Sequence, residues 1–210
     1  MTIIISGDTG VPVSPVTGTL AVLNGGTGVT TSTGSGANVL GTSPSISGAV
    51  MTTMASSVIT SGTAVASTSG TSIDFTSIPS WVKRITVMFN GVSTSGTSLP
   101  QIQLGDSGGV EVTGYVSSAF TSNTNNSTST TGFLLGGGST AAYIRCGNAQ
   151  ICLMGSNLWC FSYSGGVAVS LGGEVGGGNK TTTGTLDRVR ITTVNGTDTF
   201  DAGSINILYE

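Results

Sequence analysis

The sequence predicts an all-β protein, and three observations carry that reading. Segments of strand composition recur between clusters of Gly, Ser and Asn. The 34 glycines among 210 residues leave no window with the 3.6-residue apolar period of a helix. The polar residues are mainly Ser, Thr and Asn, the chemistry of strands and turns, and only 7% of the chain is charged. With 37% hydrophobic residues and a net charge of -3, the composition is also unlike that of charge-driven disorder. A surface of hydroxyls and amides suits identical chains packed close together, because such groups pair across a symmetry axis without like-charge repulsion.

Taken in order, residues 1–72 hold few bulky hydrophobics after Ile3-Ile4-Ile5 and no aromatic residue, too little to build a core. Leu20-Ala-Val-Leu23 followed by Asn24-Gly-Gly-Thr-Gly28 reads as a short strand and a tight turn. Residues 51–72 alternate small apolar and hydroxyl side chains, as an extended linker would. After Pro79 comes the strongest strand signal, Val82–Phe89, with Ile85, Val87 and Phe89 on one face and Asn90-Gly91 as a turn. Further strands are expected at 101–104, 110–112, 143–145, 151–154, 159–161, 167–171, 188–192 and 205–209. This spacing predicts a β-sandwich of jelly-roll type over residues 73–210. Gly136–Gly138 and Gly176–Gly178 lack the context of a phosphate-binding loop and read as flexible turns. The stretch Thr121 to Thr131 reads as an exposed loop.

The phrase LNGGTGVTTSTGSGANVLGTSPSISG, Leu23 to Gly48, resembles a segment of bacteriophage tail-fibre and tailspike proteins, where it belongs to a slender trimeric stalk. Residues Ile73–Thr86, and Leu186–Ile191 through Phe200–Ile207, are similar to the flanks of a phage fibre head with a variable middle. The resemblance implies a homotrimer with a virion-attachment arm at 1–20, a Gly/Ser/Thr-rich stalk at 21–72 and a receptor-binding head at 73–210. It also implies that the arm, with Ile3, Ile4 and Ile5, holds other tail or baseplate proteins, and that the head meets a bacterial surface glycan or protein receptor. A head fibre or capsid-decoration protein is the alternative. An axial metal ion, held by Asp or Asn from three chains, stays open.

Candidate chemistry is sparse. With no His, the chain offers no Ser-His-Asp or Cys-His arrangement. Cys146, Cys152 and Cys160 have no CxxC spacing and read as buried free thiols rather than metal ligands. No cofactor is expected. Asp106 with Glu111, and Asp198 with Asp201, are the acidic pairs a glycan depolymerase would need, but their place at Gly-rich corners reads as turn capping. Six Lys and Arg against nine Asp and Glu argue against nucleic-acid binding. The absence of a long apolar run argues against membrane insertion and predicts a soluble protein made in a cytoplasm; the resemblance implies that the cytoplasm is that of a host bacterium and that the protein is placed on the virion as a tail appendage. Candidate receptor-binding residues are Asn123, Asn125 and Asn126, whose amides match sugar hydroxyls, and Trp159 and Tyr163, whose rings match the C–H face of a sugar. Trp159 fits a core position as well. Trp81 reads as core, and Tyr115, Phe120 and Phe133 are weaker aromatic candidates.

Overall fold

The computed structural model describes residues 59–122, 126–168 and 172–210, and no helix occurs among them. The arm, most of the stalk and Ile3, Ile4 and Ile5 lie outside the described residues. The strands are β1 (Thr60–Ser61), β2 (Val65–Ala66), β3 (Ser72–Phe75), β4 (Arg84–Thr94), β5 (Pro100–Asp106), β6 (Gly109–Val110), β7 (Tyr115–Thr121), β8 (Asn126–Ser129), β9 (Phe133–Leu134), β10 (Arg145–Gly155), β11 (Leu158–Val167), β12 (Gly172–Thr181), β13 (Arg188–Thr193) and β14 (Phe200–Tyr209). They form two antiparallel sheets. The larger runs β1-β14-β4-β10-β11-β12-β7-β8, with β2 also on β14; the smaller runs β3-β13-β5-β6, with β9 also on β5.

Period-two patterning builds the core between the sheets. Ile85, Val87 and Phe89 of β4 point inward, as their alternation predicts, beside Ile151 of β10 and Phe161 of β11. Opposite them lie Ile102 and Leu104 of β5 and Val189 and Ile191 of β13, all fully buried. Each such side chain contributes roughly 1.5–3 kcal/mol relative to exposure. Phe133 stacks flat on Phe161, with centroids 4.6 Å apart, and meets Tyr115 edge-on at 5.0 Å.

The structure corrects several expectations. Gly176–Gly178 is not a flexible turn but the middle of β12, hydrogen-bonded on both sides. A Cβ on Gly176 would press on the Leu134 carbonyl and Phe161, and one on Gly178 would strike the Val116 carbonyl. Backbone carbonyls and aromatic rings occupy the space that inward side chains at these two positions would need. The Thr121–Thr131 stretch is likewise not all loop: Thr121 ends β7 and Asn126–Ser129 form β8, which pairs with β7. Asn90-Gly91 does not turn the chain either. It is a bulge inside β4, with Gly91 at φ 66° opposite an irregular stretch of β14. Within the stretch that the sequence reading places in the stalk, Thr60–Ser61 and Val65–Ala66 pair with β14, and Ser72 opens β3. Val167 ends β11, and residues 169–171 lie outside the described ones.

Trp81 leaves its expected core place for the surface, whereas Trp159 takes the core position that its sequence also fits. Trp81 precedes β4 on a turn, is 50% exposed, and tilts against Tyr209 at 5.9 Å. Trp159 is 3% exposed and packs in the core. Truncating the stacked ring, Phe161→Ala, is expected to cost about 3–5 kcal/mol in urea unfolding, whereas Val116→Ala on the outer face should stay within about 0.5 kcal/mol.

Candidate functional site

Strands β11, β12, β7 and β8 present an outer face built in rows. Register aligns Val175 with Phe120 and Phe120 with Asn126; the next row aligns Gly177 with Ser118 and Ser118 with Thr128; the third aligns Asn179 with Val116. Alternation turns all of these residues outward, since their chain neighbours Tyr115, Ser117, Ala119, Thr121 and Glu174 are buried. Gly177 offers no side chain to the middle row. The result is a shallow groove of two adjoining hollows, about 610 and 450 Å³, that share Ser118, Thr128 and Gly177. Its apolar rims are Val116, 65% exposed, with Phe120 and Val175. Among the described residues no charged side chain lines it.

Two ion pairs, one fully buried and one partly exposed, hold this wall from behind. Arg145 of β10 is 1% exposed and donates to the carboxylate of Glu174 on β12, itself 0% exposed, at 3.1 Å. Thr121 of β7 donates to the same carboxylate at 3.1 Å, while its hydroxyl accepts the Gly137 N–H at 2.9 Å. Arg145 also donates to the Gly138 carbonyl, and Ser127 of β8 donates to the Gly137 carbonyl. At the other end of β12, Lys180 pairs with Glu111 and lies over the Tyr115 ring at 5.4 Å. The Tyr115 hydroxyl accepts the Leu104 N–H at 2.6 Å and donates to the Glu111 carbonyl at 2.9 Å, joining the two sheets.

Burial raises the Glu174 carboxyl above its ordinary value, and the bonds from Arg145 and Thr121 offset only part of that. For Glu111 burial acts in the same sense, but Lys180 and Thr183 outweigh it and the carboxyl ends lower than usual. Burial, then the Glu174 charge, pushes the Tyr163 hydroxyl up.

The residues singled out by sequence separate sharply. Asn126 stands exposed at the groove, and Asn123 and Asn125 lie outside the described residues. Trp159 and Tyr163, each 3% exposed, are core residues, which corrects their assignment as sugar platforms. Tyr163 packs edge-on against Phe89. Thr128 belongs to the Thr121–Thr131 stretch, whose hydroxyls already suit a sugar, but Val175, Gly177 and Ser118 carry no sequence signal: Tyr115-Val-Ser-Ser-Ala-Phe-Thr121 runs in apolar and polar pairs rather than in alternation, and its Val116 and Phe120 face outward. The cysteines are not buried thiols: Cys146 is exposed, and Cys152 and Cys160 are partly so. Asp106 accepts from Thr183 and from the Gly108 N–H, and Glu111 accepts from Thr183. Asp198 accepts from the Ser98 N–H and the Asn195 amide. Among the described residues no group of three or more His, Cys, Asp or Glu could hold a metal ion.

Comparison with protein-family models, curated proteins and solved structures finds no match.

Arg145→Met is expected to lower stability by about 3–5 kcal/mol, read by urea unfolding, because it strands a buried carboxylate. The raised Glu174 carboxyl has a defined sign in pH. Its contribution is fully present below about pH 4, the unfolded carboxyl range, and is lost as pH rises through the folded value. The stability of the parent protein relative to Glu174→Gln should therefore fall from acid toward neutral pH in paired denaturation curves.

Proposed function

We propose that the chain is an adhesin, the receptor-binding head and arm of a homotrimeric bacteriophage tail fibre, with no catalytic role. The head binds a bacterial surface glycan; residues 1–20, with Ile3, Ile4 and Ile5, attach the trimer to tail or baseplate proteins on the virion. The observation that supports this reading best is the uncharged groove over β12, β7 and β8. Its glycine floor lets a flat ring approach the sheet. The exposed Phe120 ring and the flanking valines match the C–H faces of a sugar. Asn126, Ser118 and Thr128 supply amide and hydroxyl partners at hydrogen-bonding height. Three such heads on one fibre turn weak single-site binding into firm attachment by avidity. The engagement of Asp106, Glu111 and Asp198 in turns and side-chain bonds supports the non-enzymatic part of the reading.

The test fills the groove without touching the core. Beyond Gly177 the nearest atom to an added Cβ is the Phe161 carbonyl oxygen at 3.9 Å, so Gly177→Leu places its side chain outward into the groove. The variant should keep its unfolding midpoint and its trimeric mass by light scattering. Its adsorption to host cells should fall by about tenfold or more, equivalent to ~1.4 kcal/mol per decade. Unchanged adsorption with particles that fall apart sooner would overturn adhesion in favour of a decoration or head-fibre role.

A further inference from the structure

The three thiols are not equivalent. Cys152 of β10 and Cys160 of β11 are direct cross-strand partners, one pair along from Ile151 and Phe161. Ile151, Trp159 and Phe161 are buried, so alternation turns both cysteines to the outer face, where both are partly exposed and free. Leu153 donates its N–H to Lys83 on the far side of β10. The backbone groups of Cys152 therefore point to β11, and the two cysteines form a hydrogen-bonded pair. In such a pair the Cα atoms lie about 5.5 Å apart, inside the range that a disulfide spans. The Cβ atoms of directly opposed residues lie about 4.5–5.5 Å apart, whereas a relaxed disulfide brings them to about 3.8 Å. Closure is within reach but draws the strands together and leaves a strained bond that is easily reduced. The neighbouring hairpin turn, with Ser156 at φ 47° and Asn157 at φ 63°, holds β10 against β11 and keeps the thiols opposed.

We propose that Cys152 and Cys160 form a reversible cross-strand dithiol–disulfide pair, closed by thiol–disulfide exchange with a small-molecule disulfide such as oxidised glutathione. One thiolate attacks the reagent, forms a mixed disulfide and releases the first small thiol. The second thiolate attacks the protein sulfur of that mixed disulfide and releases the other. Two protein S–H groups are oxidised to one S–S bond, the reagent is reduced to two thiols, and the two protons pass to the departing thiolates. Cys146 stays outside the pair: it lies opposite Gly166 on β11, and its sulfur accepts the Gly91 N–H at 3.2 Å. This proposal is independent of the adhesion reading.

The test uses the full chain carrying Cys146→Ser, exposed under native conditions to oxidised glutathione and followed by intact mass and thiol titration. The expected result is loss of both thiols together and a mass lower by two hydrogens. A chymotryptic map should join the fragment holding Cys152 to that holding Cys160, and a millimolar monothiol should restore both thiols. The double variants Cys146→Ser/Cys152→Ser and Cys146→Ser/Cys160→Ser should instead stop at a single mixed disulfide. Persistent glutathione adducts on the Cys146→Ser protein, disulfide-linked dimers, or two thiols that never react would each overturn the pair. Because substitution of Cys146 can itself disturb Gly91, the same map on the unsubstituted chain serves as a second measurement, and a bond from Cys146 to either partner would also overturn it.

Discussion

The large sheet depends on how β12 is held. Most of this strand cannot hold itself by side chains, because five of its ten residues are glycine. Backbone bonds to β11 and β7 run along it, and its side-chain anchors stand at either end: Glu174 beside Arg145, and Lys180 beside Glu111. The Arg145–Glu174 pair is the more demanding of the two, since neither side chain reaches water. Removing two charges from water costs several kcal/mol per ion, and the cost is met only where further hydrogen bonds complete the geometry. Here Thr121 and the Gly138 carbonyl complete it. One pair thereby ties β10, β12, β7 and the segment after β9 together. Ser127, bonded to the same segment at Gly137, brings in β8. The groove on the outside is the far surface of this buried assembly.

Between the anchors, the glycines do two different jobs according to their parity. The inward ones, Gly176 and Gly178, make room for Phe161, Phe133 and the backbones beside them. The outward one, Gly177, leaves the floor of the groove bare. A strand of ordinary composition would bury side chains inward and raise a ridge outward, and would have neither the aromatic stack beneath nor the hollow above. Sequence alternation and glycine thus act together, one setting which face a residue takes and the other deciding that nothing stands on it.

This division explains what was legible in the sequence and what was not. Strands with bulky alternating residues, such as Ile85-Thr-Val-Met-Phe89 and Arg188–Thr192, announce their faces because the apolar members must be buried. β12 was illegible because glycine carries no periodic signal: its role is defined by Phe161 and Phe133, far away in sequence, which the fold brings beside it. Trp159 and Trp81 illustrate the same limit. Both stand beside strand-forming residues, and only position decides that one lies within β11 facing inward while the other sits on the turn before β4. Asn126 was found because amide-rich chemistry is local, whereas Val175 and Gly177 became part of the same site only through register.

The distribution of charge has a consequence of its own. Five of the six Lys and Arg side chains are matched to carboxylates, and the outward rows of β10, β11, β12, β7 and β8 consist of Asn, Gln, Ser, Thr, Cys, Gly and apolar residues. A wall so nearly without fixed charge casts almost no field beyond its own surface, so it neither draws a partner in from a distance nor turns one away. Encounters with it owe little to steering by the wall itself and depend on close contact.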